Sequence, residues 1–301
     1  MNKIDLKNNF EFFLFRSLSC WLRSMPIKSA LDFHRVLGTF WFDVLKIRKK
    51  VTLENLKRAF PDKTSKELEH LTKKIFVHFS RVGIEHVLMP KFINNGLDDM
   101  IASANWEVLT EAYKEKKGVI ILSGHFGNWE LLAASLSLNG FPTWAVAAQQ
   151  RNLKVDKLIN EHRNLADLNI IFREQAKTTI PNIFKNGELL LLLCDQDAGK
   201  DGVFVPFFGH LASTPPGPAV FFLRNKIAIV YALATYHKGK YNLHFERLKI
   251  TTGNEGFRDS VKQVTKFHVN RLEQDIRKLP EQWFWLHRRW KTSSSEVIHN
   301  E

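Results

Sequence analysis

Between residues 119 and 194 the chain alternates short apolar runs with stretches of helical periodicity, and this alternation limits its fold more than any other feature. Val119-Ile120-Ile121-Leu122 and Leu189-Leu190-Leu191-Leu192-Leu193 are uninterrupted apolar runs too short for helices. Such runs are expected of strands buried on both faces. Residues 143–148 and 169–172 read as further strands, and residues 129–136, 155–168 and 176–186 as the helices between them. Strict β, α alternation predicts an α/β fold with a mostly parallel central sheet covered by helices. Upstream, residues 51–90 carry helical spacing punctuated by Pro61 and Pro90. Downstream, Ser213-Thr214-Pro215-Pro216 reads as a helix cap, residues 227–236 and 241–250 as strands, and residues 257–278 as a long closing helix. No internal repeat or low-complexity linker divides the chain.

Composition narrows the function classes. With 44% hydrophobic residues the chain can bury enough surface to offset its conformational entropy, which excludes wholesale disorder. Its two cysteines, Cys20 and Cys194, lie far apart and support neither a disulfide framework nor a cysteine-rich metal site. Lys and Arg number 44 against 31 Asp and Glu, a net charge of +13. Such an excess calls for an anionic partner: nucleic acid, an anionic membrane surface, or an acidic carrier or phosphorylated substrate.

That excess is concentrated at the start, where residues 1–60 hold 12 Lys and Arg against 5 Asp and Glu. Residues 10–25 and 31–45 are rich in aromatics, interrupted by charges at helical spacing and separated by Pro26. They are too charged to span a bilayer and read as amphipathic helices lying in the headgroup region. Phe12, Phe13, Phe15, Trp21, Phe40, Trp41 and Phe42 would face lipid. The run Lys46-Ile47-Arg48-Lys49-Lys50 follows, suited to an anionic cytoplasmic leaflet. Residues 1–50 are thus expected to associate with a membrane, and residues 51–301 to form the α/β domain. No small-residue cleavage site of a signal peptide follows the apolar stretch.

Ser123-Gly124-His125-Phe126-Gly127-Asn128-Trp129-Glu130 joins the first buried strand to the next helix. In open α/β sheets the crevice at the carboxyl ends of the strands is where ligands bind. An imidazole there, with Glu130 reaching back to its other ring nitrogen, would make a dyad able to take a proton from a hydroxyl. Asn128 is placed to cap the helix, and the helix N-terminus offers N–H groups to an anion or a developing oxyanion. No serine or cysteine nucleophile accompanies His125, which favours direct transfer. Asp195 and Asp197 end the second buried strand and are expected on the same crevice rim. They could orient hydroxyls or fix an arginine, and they lack the partners a metal site needs. Arg151, Arg163 and Arg173 suit a phosphate grip. Residues 282–291 mix tryptophans with basic side chains, which fits stacked bases or a membrane interface.

The block Ser123 to Glu130 resembles the H-x4-D/E box of the lysophospholipid and glycerolipid acyltransferases, and more narrowly that of the bacterial lipid A late acyltransferases. That branch also holds mycobacterial phosphatidylinositol mannoside acyltransferases. Asp195-Gln196-Asp197, Val203-Phe204-Val205-Pro206-Phe207-Phe208-Gly209 and the terminal Pro280 to Lys291 fall where that family has similar segments. The resemblance implies a single α/β domain with an N-terminal membrane anchor at the cytoplasmic face of a bacterial inner membrane. It implies transfer of a fatty acyl group from acyl carrier protein or coenzyme A to a lipid hydroxyl, with no cofactor and no nucleic acid. His125 matches the general base and Glu130 its charge-relay partner, while Arg163, Asp195, Asp197 and Asn128 become substrate-binding candidates. The segment 203–209 could line an acyl channel. Where relatives carry a tyrosine, arginine and proline group this chain reads Ala147-Ala148-Gln149-Gln150, a departure that bears on the acceptor.

Overall fold

The computed structural model describes residues 3–253 and 256–293. Helix α1 (Lys3–Ser24), the short helices α2 (Ile27–Asp32) and α3 (His34–Phe40) and a π-helical turn (Trp41–Leu45) lead into α4 (Lys49–Ala59) and the long α5 (Ser65–Asn95). Strand and helix then alternate: β1 (Ile101–Ala104), α6 (Trp106–Lys114), β2 (Val119–Ser123), α7 (Trp129–Leu138), β3 (Thr143–Ala147), α8 (Leu153–Leu165), β4 (Asn169–Phe172), α9 (Ala176–Lys185) and β5 (Leu189–Leu193). A hairpin of β6 (Val203–Phe207) and β7 (His210–Thr214), helix α10 (Gly217–Asn225), strands β8 (Ala228–His237) and β9 (Lys240–Arg247) and helix α11 (Phe257–Lys278) complete it.

Among the described residues the main sheet runs β1-β9-β8-β2-β5-β3-β4, parallel except where β9 returns against β8. Its central strands bury both faces, as their unbroken apolar runs predict. Ile120, Leu122, Leu190 and Leu192 pack on the side of α4, α9 and α11, and Val119, Ile121, Leu189 and Leu191 on the side of α6 and α7. Helix α5 contributes to both layers, with Ile75, Phe76 and Phe79 in one and Ile84, Val87 and Leu88 in the other.

Three local expectations are corrected. Pro90 does not end a helix: α5 opens on a capping box between Thr64 and Glu67 and runs through Pro90 to Asn95. One lost backbone hydrogen bond near its end is outweighed by burial of Val87, Leu88, Met89 and Phe92 around the proline. Ser213 and Thr214 do not cap a helix. They lie in β7, paired with Phe204 and Val203, and α10 starts at Gly217 with no side-chain cap. At the N-terminus, Phe42 is buried in the core and Phe15 and Trp41 pack against it, because α3 crosses α5 at Gly38, where a Cβ would come within 2.5 Å of the Val77 backbone. Exposure remains on Leu6, Phe10, Phe13, Leu14 and Trp21, one face of α1, and on Val36, Phe40, Val44, Leu45 and Ile47. No helix among the described residues is long and apolar enough to cross a membrane.

Burial also makes the fold acid-sensitive. Desolvation pushes His78 and His162 down to about 4 and His268 to about 3, from an ordinary value of 6.5. Between pH 6.5 and these values the unfolded chain binds more protons than the folded one, so stability falls as pH falls. Lowering pH from 7 to 5 is expected to cost up to about 2 kcal/mol per histidine. Denaturant titrations at the two pH values read this directly, and equal midpoints would contradict it.

Candidate active site

The parallel register of β2 on β5 pairs residues 70 apart, from Val119 with Leu189 to Ser123 with Leu193. Continued two residues past both strand ends, it sets His125 against Asp195. The His125 backbone N–H donates to Asp195 Oδ2 at 2.7 Å, and Nδ1 lies 2.7 Å from Oδ1. Trp283 Nε1 donates to the same Oδ2 at 2.7 Å. Burial pushes the Asp195 carboxyl up, but His125 and these hydrogen bonds outweigh it and hold the group below its ordinary range. The imidazole sits between the rings of Trp129 and Phe284, with centroids 5.0 and 6.2 Å away. Its side chain is 21% exposed, and Nε2 lies 3.4 Å from the Gln196 side-chain nitrogen.

Gly127 fixes the loop. Its φ is +59°, and a Cβ there would fall 1.8 Å from the Ala234 carbonyl oxygen, so only glycine fits. The loop amides are all committed: His125 to Asp195, Phe126 to the Gly124 carbonyl, Gly127 to Gln282 and Asn128 to Ala234. The expectation that these N–H groups face an oxyanion therefore does not hold for residues 125–128; the Gln196 side-chain amide lies beside His125 Nε2 instead.

Glu130 is turned the other way. From the first turn of α7 it accepts from Arg163 on α8 through both oxygens, at 2.6 and 3.0 Å, and from Trp129 Nε1 at 3.3 Å. Burial raises its pKa, but the Arg163 guanidinium outweighs this and brings it down to about 2. The expected reach of Glu130 to the His125 ring is not made; the carboxylate on Nδ1 is that of Asp195. The reason is direction: the helix aims position 130 at α8, whereas the strand register aims position 195 at the imidazole. Beside Glu130 lie His86, whose Nδ1 is 3.9 Å away, and His162, bonded in turn to Arg23 of α1.

The other candidates are held in the frame. Asn128 is fully buried, caps α7 by accepting from the Leu131 N–H, and donates to Glu85, which also binds Arg81 and Tyr241. Asp197 accepts from Thr292 and Gly199, while its N–H donates to His287 Nε2. Arg163 is taken up by Glu130 and Asn160. Arg151 and Arg173 are exposed. Phe207 and Phe208 of the segment 203–209 are buried in the core.

What the spacing argument missed is the work of the terminal block. Trp283 binds Asp195, the Phe284 N–H donates to the His125 carbonyl at 2.9 Å, and Asn55 ties down the carbonyls of Trp285 and His287. Arg289 is fully buried and holds Ser213 and Thr214. Two of the three tryptophans read as interfacial are core residues, Trp283 and Trp285 being among the largest fully buried side chains, and Trp290 packs partly buried against the same core.

The family profile described as bacterial lipid A biosynthesis acyltransferase matches residues 2–292. The chain is 25% identical over 258 residues to the lipid A biosynthesis palmitoleoyltransferase of Escherichia coli K12, covering 85% of this chain and 83% of that protein. It is 23% identical to the lipid A biosynthesis lauroyltransferase of the same organism, over 87% and 85% of the two chains. A phosphatidylinositol mannoside acyltransferase of Mycolicibacterium smegmatis is 19% identical over 80% and 79%.

Proposed function

The chain belongs to the bacterial lipid A biosynthesis acyltransferase family and is an acyltransferase, and from that premise we propose that it moves a fatty acyl chain from a thioester of acyl carrier protein or coenzyme A to a hydroxyl of a lipid A precursor. The observation that carries the reading is a partly exposed His125 imidazole whose Nδ1 is bound to a buried carboxylate. With Nδ1–H donated to Asp195, Nε2 keeps its lone pair and accepts the proton of the acceptor hydroxyl. The oxygen attacks the thioester carbonyl, an O–C bond forms, and the collapsing intermediate breaks the C–S bond. The proton on Nε2 leaves with the thiol. The Gln196 amide donates to the oxyanion, and transfer is direct. Glu130 acts by holding Arg163 and the α7–α8 wall rather than by touching the imidazole.

The exposed apolar face of α1 and the basic run from Lys46 to Lys50 support docking on an anionic membrane surface, as expected of the cytoplasmic face of an inner membrane. The relative that acts on phosphatidylinositol mannoside supports a second reading, in which the same chemistry serves another lipid hydroxyl. Purified protein in anionic vesicles, given an acyl carrier thioester and either acceptor, separates the two. Lipid A precursor is expected to gain one acyl chain by mass spectrometry, and absence of product with every acceptor would overturn the proposal.

A further inference from the structure

One face of α5 carries basic side chains into the fold. His70, Lys73, Lys74, His78 and Arg81 recur at helical spacing, and the last two are buried, each 8% exposed. A merely solvated basic face would keep its charges outside. With His34 of α3, Tyr236 at the end of β8 and Glu281 of the terminal block, these residues line a cavity of about 280 Å³. Small-ligand sites measure roughly 300–1,000 Å³, so the space suits a compact group. Lys73, Lys74 and Arg81 set three fixed cations in its wall against the Glu281 carboxylate, which selects for an anion. Arg81 is held rigidly: its Nε donates to Glu85 Oε1 at 2.7 Å, and its guanidinium lies 4.1 Å from the centroid of the Tyr236 ring. Lys73 pairs with Asp43 at 3.1 Å, but those side chains are 41% and 48% exposed, and so open a pair holds little back from a better-placed anion.

The cavity touches both the catalytic loop and the apolar surface. His78 Nε2 lies 3.4 Å from the Gly127 carbonyl, and the Tyr236 N–H donates to the side chain of Gln282, whose own carbonyl receives the Gly127 N–H. Gly127 stands two residues beyond His125. On the other flank, His34 belongs to α3, which exposes Val36 and Phe40, and the Lys73 partner Asp43 belongs to the π-helical turn, which exposes Val44. A lipid resting on that apolar flank brings its headgroup to the cavity.

We propose that this cavity is a phosphomonoester subsite for a lipid headgroup, in which Lys73, Lys74 and Arg81 grip the phosphate and fix where the hydroxyl of that lipid falls relative to His125. The inference rests on the acyl-transfer reading only in taking this lipid as the acceptor. A guanidinium and two ammonium groups supply the charge-assisted donors that a phosphate dianion accepts. Arginines that the sequence offered for such a grip are placed elsewhere, Arg163 on Glu130 and Arg151 and Arg173 on the surface. A convex acidic protein surface fits less well, because it does not reach the buried Arg81.

The test uses full-length protein labelled with 15N-histidine, with the His34 signals assigned by their loss in His34→Gln. Glucosamine 1-phosphate is the probe, with glucosamine and inorganic phosphate beside it. The sugar phosphate is expected to move the His34 signals and glucosamine to leave them, and Lys73→Ala with Lys74→Ala should weaken the binding about tenfold to a hundredfold. No shift, or one of equal affinity in the double variant, would overturn the proposal, as would inorganic phosphate binding more tightly than the sugar phosphate, which would make this a free-phosphate site. If the double variant does not fold, Lys74→Ala alone decides, since its side chain is exposed. These titrations need no turnover, so they stand even if every acceptor assay is blank and the acyl-transfer reading falls. In turnover, the double variant should raise KM for phosphorylated lipid A precursor by the same factor with kcat little changed, and phosphatase treatment of the precursor should cost wild type that factor and the variant little. A rise in KM for the thioester donor instead would put the donor's phosphate in the cavity and overturn the assignment.

Discussion

Asp195→Asn is expected to lower kcat by about 10³–10⁴ while leaving the melting temperature nearly unchanged. Asparagine keeps the shape of the side chain and can still accept from Trp283 and the His125 N–H, so the loop between β2 and α7 stays in place. What changes is the sense of one hydrogen bond. An amide can present its NH₂ to Nδ1, which moves the imidazole proton to Nε2, where the acceptor hydroxyl must be deprotonated. His125→Ala should cost at least as much, and the double variant no more than His125→Ala alone, since residues acting as one unit are not additive. Steady-state assays of the three purified variants read this together with thermal melts. An Asp195→Asn enzyme within tenfold of wild type would remove Asp195 from the relay.

The sequence made the sheet legible because its signals are local. Apolar runs at 119–122 and 189–193 are five residues long or shorter and bounded by glycine and polar residues, so each strand announces itself. His125 was legible for the same reason, as a polar residue just past a buried strand. Its partner was not, because spacing along the chain favours the residue five positions on, whereas contact is set by the neighbouring strand 70 residues away. The signal was there in a different form: two buried strands of equal length, each followed two residues later by a titratable side chain. Had β2 and β5 been taken as adjacent and in register, Asp195 would have followed. Trp283 and Arg289 were harder, since aromatic-basic mixtures look alike whether they meet lipid, nucleic acid or a buried carboxylate, and only burial separates these cases. Phe42 shows the same limit on the N-terminal helices, where pattern alone does not tell the face against α5 from the face turned outward.

Glu130→Gln, by contrast, is expected to act first on stability. The Glu130 and Arg163 side chains are 13% and 20% exposed, and the pair is bidentate. Removing one partner of a buried pair costs about 3–5 kcal/mol because the other charge is left uncompensated; partial exposure brings this to about 2–4 kcal/mol here. For a chain of this size that lowers the melting temperature by about 5–10 °C. Replacing Arg163 as well, in Glu130→Gln with Arg163→Gln, should recover part of the loss, because no unpaired charge then remains between α7 and α8. The pair also has a pH signature. Glu130 titrates at about 2 in the folded chain against an ordinary 4.5, so its contribution is complete above pH 4.5 and disappears as pH falls through about 2. In Glu130→Gln that part of the acid dependence should vanish. Two measurements then separate wall from relay. If Glu130 holds the wall, activity falls in step with melting temperature, and the double variant recovers both. If Glu130→Gln melts like wild type yet has lost kcat by orders of magnitude, the carboxylate takes part in the chemistry, and the spacing from His125 to Glu130 has the meaning the sequence first suggested.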